Sequence, residues 1–122
     1  MEEIGLYLKY GRLVPGRERQ AIELFAETTE FFTEQLKTGV ITHYEPFFFA
    51  SGEFDAEAGF WIIKGDREKI WTMVENDIYL WLLTKAQFVV DHLQVEFLFV
   101  GDKIPEQVER ATKLATEFVT IH

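Results

Sequence analysis

His43 and Glu45 lie two apart in an aromatic-rich segment, Tyr44-Glu45-Pro46-Phe47-Phe48-Phe49. In an extended strand such residues project from one face. An imidazole and a carboxylate would then stand side by side, the arrangement needed to take up and return a proton. Phe47 and Phe49 continue that face, and apolar neighbours raise a carboxyl pKa by desolvating its charged form. Against this stands the plainer reading, a solvated end of an edge strand, and on residue types alone it comes first.

His92 belongs to a second group. Together with Gln94 and Glu96 it shares one face of a long predicted strand, while Asp91, Leu93, Val95 and Phe97 share the other. A His-Gln-Glu ladder can line a ligand cavity or make hydrogen bonds across a dimer interface, and the interface is the blander and slightly favoured reading. No metal site is expected. The chain has no cysteine, no HxH or HxxxH spacing and no clustered carboxylates, and His122 is the terminal residue. Ser-His-Asp order, a phosphate loop and a dinucleotide glycine pattern are also missing, so no cofactor is expected.

Aromatic residues are the compositional outlier at 16%, with 12 Phe, 3 Trp and 4 Tyr. Rings favour burial, which points to a broad apolar interface or an aromatic-lined pocket. The expected pocket residues are Trp61, Trp71 and Tyr79, from a wider set that includes Trp81, Tyr7, Tyr10 and Tyr44. Trp61 on the third predicted strand and Trp71 on the helix above it are expected to face each other across a site for a planar molecule. Aromatics at strand or helix spacing more often fill a core or an interface.

Charge narrows the partners. Twenty-one acidic residues against 12 basic ones give a net charge of -9, which repels phosphate backbones and anionic bilayers, so neither nucleic acid nor membrane is an expected partner. The opening Met1-Glu2-Glu3-Ile4 is acidic where a secretory signal is basic, and no apolar run approaches the ~18 residues of a spanning helix. A cytoplasmic location is expected.

The elements that must position these residues follow from periodicity. Residues 4–12 alternate as a strand. Residues 17–37 carry Ile22, Phe25, Ala26, Thr29, Phe32 and Leu36 at helical spacing, closed by Gly39. Strands are predicted over 41–50 and 57–64, joined by a hairpin loop Ser51-Gly52-Glu53-Phe54-Asp55. Asp66 is a predicted N-cap for a helix with Ile70, Trp71 and Val74 on its apolar stripe. Asn76-Asp77 breaks that helix, and a second short one turns Tyr79, Leu80 and Leu83 inward. Residues 88–100 read as a long strand, extended past its neighbours or bent at a bulge. Pro105 opens a last helix with Val108, Ala111, Leu114 or Ala115, and Phe118 on its packing face.

The order β-α-β, β-α-β plus a helix is the ferredoxin-like split βαβ topology. The fold class is α+β: a βαββαβ four-stranded antiparallel sheet with a C-terminal helix, one domain over residues 1–122. Three strand segments, 46–50, 59–63 and 95–100, are apolar on both faces. Helices on one face leave the other uncovered, and a homodimer packing sheet toward sheet hides it; the competing reading, the last helix as cover, spans too little of a four-stranded sheet.

Four segments carry a family likeness: Gly11-Arg12-Leu13-Val14-Pro15-Gly16-Arg17-Glu18, Tyr44-Glu45-Pro46, Gly65-Asp66-Arg67-Glu68-Lys69 and Val89-Val90-Asp91-His92-Leu93. Through them the chain resembles small uncharacterised members of the dimeric α+β barrel superfamily, and more distantly antibiotic-biosynthesis-type monooxygenases. The resemblance implies a homodimer with a cleft between each sheet and its helices. Haem-degrading members hold iron through a helical histidine, and none of the three histidines here falls in a predicted helix. The leading expectation is a homodimeric α+β barrel protein that binds a small apolar or aromatic molecule between sheet and helices. Two alternatives stay open. One is a cofactor-independent monooxygenase or isomerase on an aromatic or polyketide-like substrate, with His43, Glu45 or His92 moving protons; the other is a purely structural interaction module.

Overall fold

Cross-strand register decides which face of each strand meets the helices. The computed structural model describes residues 2–50 and 58–121. Its sheet contains β1 (Glu3–Tyr10), β2 (His43–Phe48), β3 (Gly59–Asp66) and β4 (Gln94–Phe99), antiparallel throughout and ordered β2-β3-β1-β4. Leu6 sits between Ile63 and Phe97, and Leu8 between Trp61 and Val95. Directly paired residues share a face, so these six form the floor beneath the helices. Leu6 and Ile63 are completely buried.

Above that floor lie α1 (Glu18–Lys37), α2 (Arg67–Val74) and α3 (Asp77–Val89). The caps fall where the sequence puts them. Asp66 Oδ2 accepts from the Lys69 backbone N–H at 3.3 Å, and Asn76 Oδ1 from that of Ile78 at 2.7 Å, so the second crossover is two short helices. Gly39, at φ 78°, takes the left-handed turn that ends α1. Sheet order and crossovers together give the expected ferredoxin-like α+β fold.

Three details differ from the sequence expectation. First, the buried side of α1 is Ala21, Leu24, Phe31 and Phe32 with Phe25 partly covered, while Ile22 is 67% exposed. One residue is 100° of helix rotation, and bulky Leu24 and Phe31 turn the helix so that they meet the sheet and α3. Leu80 on α3 likewise faces out, and Leu82 faces in beside Tyr79.

Second, the long strand over 88–100 is shorter than expected. Phe88 and Val89 are the end of α3, because Val89 belongs to its buried side. Val90 then bridges Leu13, and the Asp91 N–H donates to the Arg12 carbonyl at 2.9 Å. His92 turns the chain at φ 51° before β4 begins. The expected bend is therefore present, but His92 lies in it rather than on a strand face with Gln94 and Glu96.

Third, the expected packing face of α4 (Lys103–Ile121), with Val108, Ala111, Leu114 or Ala115, and Phe118, is exposed in the subunit; that the helix does not cover the sheet is as expected. Its early residues Lys103, Glu106 and Arg110 border a groove with Trp71 and Phe97, and from Val108 to Phe118 every residue is exposed. The side of the sheet away from the helices carries Tyr7, Phe47, Phe60, Ile62 and Leu98. Phe60 gathers three rings there: Phe47 stacked at 4.8 Å, and Tyr7 and Phe49 each at 5.5 Å. The predicted hairpin loop at Ser51–Asp55, the predicted strand start at residue 57 and His122 lie outside the described residues.

Candidate functional site

Between the sheet and the α1/α3 pair lies a cavity of about 330 Å³. Its floor is Leu8, Tyr10 and Trp61, with Phe48 at the side, because strand alternation turns all of them toward the helices. α1 contributes Leu24, Phe25, Thr28 and Phe32; α3 contributes Tyr79, Leu82 and Ala86; and Leu13, Val90 and Leu93 border it where the chain leaves β1 and approaches β4. Trp61 is 4% exposed and is fixed by Phe25 at 5.1 Å, Phe32 at 5.6 Å and Tyr44 at 6.0 Å. Tyr44 is itself held by a 2.6 Å hydrogen bond to Thr33 Oγ1. Such a wall of locked rings is rigid enough to select a ligand by shape.

Polar groups in the cavity are few. Thr28 Oγ1 donates to the Leu24 carbonyl at 2.8 Å. Among the described residues, the buried hydroxyls of Tyr10 and Tyr79 have no hydrogen-bond partner. Burial pushes the pKa of each up to about 12, so both are neutral donors at physiological pH. Among the described residues no Asp, Glu, Lys, Arg or His lines the space.

The six residues singled out from the sequence fall in four places. Trp61 and Tyr79 line the cavity. Trp71 does not: it is 44% exposed, lies against Phe97 at 4.5 Å, and borders the separate groove beside α4. Its neighbour Ile70 takes the inward position on α2, which turns Trp71 toward β4, so Trp61 and Trp71 do not face each other.

His43 and Glu45 come together as their spacing predicts, Nε2 to Oε1 at 3.4 Å, with both side chains about half exposed. Their register neighbours Lys64 and Ile62 place them on the side of the sheet away from the cavity. His92 is 77% exposed, with Nδ1 3.2 Å from Asp91 Oδ1. Asp91 also lies 3.6 Å from Arg12 Nε. The imidazole first, and then the Arg12 backbone and guanidinium, hold the Asp91 carboxyl below its usual range. His92 is thus part of an Asp-His-Arg cluster whose next residue, Leu93, borders the cavity.

Leu24, Phe48, Leu82 and Ala86 are lining residues that sequence reasoning did not single out. Tyr10 appeared only in the wider aromatic set, although its place in the Leu6, Leu8, Tyr10 alternation is a signal for it.

No protein-family model matches the chain and no curated protein sequence does. Solved structures do match. SnoaB from Streptomyces nogalater, described as a cofactor-independent oxygenase, aligns with TM-score 0.62 at 14% identity, over 84% of this chain and 96% of that one. A hydroxynitrile lyase from Passiflora edulis aligns with TM-score 0.64 at 6% identity, over 83% and 95%. A dimeric protein of unknown function and ferredoxin-like fold from Bacteroides fragilis aligns with TM-score 0.57 at 11% identity, over 80% and 96%. The chain shares the ferredoxin-like α+β fold of these structures, and the spread of descriptions among them means that the fold does not choose a reaction.

Proposed function

We propose that this is a homodimeric α+β barrel protein that binds a small, largely apolar molecule in the cavity between its sheet and its helices. The observation that carries the reading is the cavity itself: ring-walled, without a charged side chain among the described residues, and at the lower end of ligand-pocket volumes. Titration with naphthalene tests it. Saturable binding to the wild type, lost in a folded Ala86→Phe variant that fills the space, supports it. Absence of saturable binding, or undiminished binding by Ala86→Phe, overturns it.

Dimerisation is supported by the Phe60 ring cluster and by the exposed stripe of α4. Area points the same way: the subunit exposes 8357 Å², whereas a compact monomer of 14.3 kDa exposes about 6,800 Å². The excess of about 1,500 Å² is what a subunit loses in a large interface. A net charge of -9 disfavours nucleic acid and anionic bilayers as partners. No helix among the described residues is long and apolar enough to cross a membrane, and we place the protein in the cytoplasm.

A second reading is favoured by one cluster: His92, paired with Asp91 beside a cavity-lining residue, is positioned to exchange protons with solvent. It makes the protein a cofactor-independent monooxygenase or isomerase on an aromatic or polyketide-like substrate, with His92, His43 and Glu45 as candidate proton carriers. Turnover of a quinol panel that falls in His92→Ala supports this reading. No turnover, or turnover unchanged in His43→Ala, Glu45→Ala and His92→Ala alike, leaves binding or a purely structural interaction module.

A further inference from the structure

We propose that α4 is an assembly helix: its apolar stripe pairs with the same stripe on α4 of a second copy of the chain, a helix-to-helix contact distinct from the open face of the sheet. This deepens the homodimer reading and rests on it.

The stripe is Ile104, Val108, Ala111, Ala115 and Phe118, spaced four-three-four-three, the repeat by which two helices mesh side by side. Thr112 and Leu114 flank it, and the Thr112 hydroxyl is satisfied within the helix by the Val108 carbonyl at 2.8 Å. At 100° per residue the charged side chains, Lys103, Glu106, Glu109, Arg110, Lys113 and Glu117, fall within about 120° of arc on the other side. That charged side is the one α4 turns to its own subunit. Lys103 Nζ lies 3.6 Å from Glu2 Oε1, and Glu106 and Arg110 border the groove with Trp71 and Phe97. The apolar stripe points away from this contact, with Ile104, Val108 and Phe118 each about half exposed. A helix that shows charge to its own subunit and hydrocarbon to the outside is arranged to be covered from outside.

Helix stability points the same way. Among the described residues no other element packs along α4 beyond its first turns. Seven of its 19 residues are β-branched, a poor composition for a helix standing alone in water, so packing must supply what local propensity does not. A second copy fits the need. The polar side of α4 carries three acids and three bases, which gives an anionic bilayer no net charge to attract. Gln107, Thr112 and Leu114 beside the stripe are uncharged, so two α4 helices meet without opposing like charges. Ala111 and Ala115 lie mid-stripe, where small side chains let two helix backbones approach closely. The excess area of about 1,500 Å² on the subunit is nearly twice the ~800 Å² that one partner loses in a standard interface. It accommodates the open sheet face and the α4 stripe together.

The chain contains no cysteine, so one introduced thiol tests the contact. Ala111→Cys, on the stripe, and Lys113→Cys, on the charged side, are each treated with a short bis-maleimide. Ala111→Cys is expected to form covalent dimers at least about tenfold faster than Lys113→Cys, because paired thiols stand at millimolar effective concentration. Ala111→Glu is expected to raise the dissociation constant of the assembly at least about tenfold, the effect of burying an unpaired charge. Hydrogen exchange over residues 108–118 is expected to quicken in the same variant as the helix loses its cover. Ala111 is exposed in the subunit, so none of these substitutions enters its core. Equally slow cross-linking of the two cysteine variants in a chain that sediments as a dimer overturns this inference, leaves the homodimer reading standing and assigns the stripe to the partner's sheet or to another protein. A wild-type chain that sediments as a monomer overturns both.

Discussion

The Tyr10 hydroxyl lies where a side chain on Gly59 would begin: a Cβ there would stand 2.7 Å from the hydroxyl and would also press on the Phe47 carbonyl oxygen. A flexible ring can move aside, but a carbonyl in the β2–β3 ladder cannot without breaking register. Gly59→Ala is therefore expected to lower stability by about 1–3 kcal/mol, and to weaken naphthalene binding because Tyr10 is driven into the cavity. Thermal denaturation and titration check the two effects; an alanine variant as stable as the wild type would show that the strands yield.

Removing an unpaired hydroxyl should help the empty protein. Tyr79→Phe is expected to raise stability by about 1 kcal/mol, the reverse of the usual loss on altering a core residue, because the variant no longer buries an orphan donor. Chemical denaturation of the unliganded variant measures it. A clear loss of stability would mean that the hydroxyl is paired in solution.

Stability should fall at alkaline pH through the same two tyrosines. Burial raises the pKa of each in the folded chain to about 12, against the ordinary 10.0 of an exposed tyrosine. Below pH 10 both folded and unfolded chains hold these protons, and the two groups add no pH dependence. Between about 10 and 12 the unfolded chain releases protons that the folded chain keeps, so each pH unit shifts the balance toward unfolding. Denaturation curves across that interval are expected to steepen less in Tyr79→Phe than in the wild type.

The open side of the sheet is expected to hold two subunits together. Phe60 is the centre of its ring cluster, and Phe60→Asp places an unpaired charge there. A loss of at least ~2 kcal/mol in dimer stability, about thirtyfold in Kd, is expected for a central aromatic anchor. Sedimentation reads the association and circular dichroism confirms that the subunit remains folded. A wild-type chain that sediments as a monomer at micromolar concentration would remove the dimer from the reading.

The two tryptophans separate cavity from groove. Trp71→Ala is expected to leave naphthalene affinity within about twofold of wild type, since exposed changes away from a site rarely exceed ~0.5 kcal/mol. Trp61→Phe, which trims a cavity wall packed on Phe25 and Phe32, is expected to change affinity by more than that. Equal effects from both would mean that the ligand occupies the groove beside α4.

Much of the fold was legible because its signals are local. The Asp66 and Asn76 caps, the left-handed Gly39 and the Leu6-Leu8 alternation each act within a few residues. Where a signal depended on distant residues it was misread. Phe88 and Val89 look like strand in isolation and are helix because Val89 is needed under α3. Ile22 fits a helical stripe as well as Ala21 does, and only the neighbouring sheet and α3 choose between them.

By itself, then, the sequence determined the order of elements, the doubly apolar strands and the pairing of His43 with Glu45, since periodicity and capping are properties of neighbouring residues. Only the tertiary structure decided that this pair lies behind the sheet, that Trp71 turns to Phe97 while Trp61 meets the cavity, and that Tyr10 and Tyr79 approach one space from opposite walls. Those outcomes hang on strand register and helix rotation. A shift of one residue in either moves a side chain to another face, and the choice between shifts is made by packing among segments far apart in the chain.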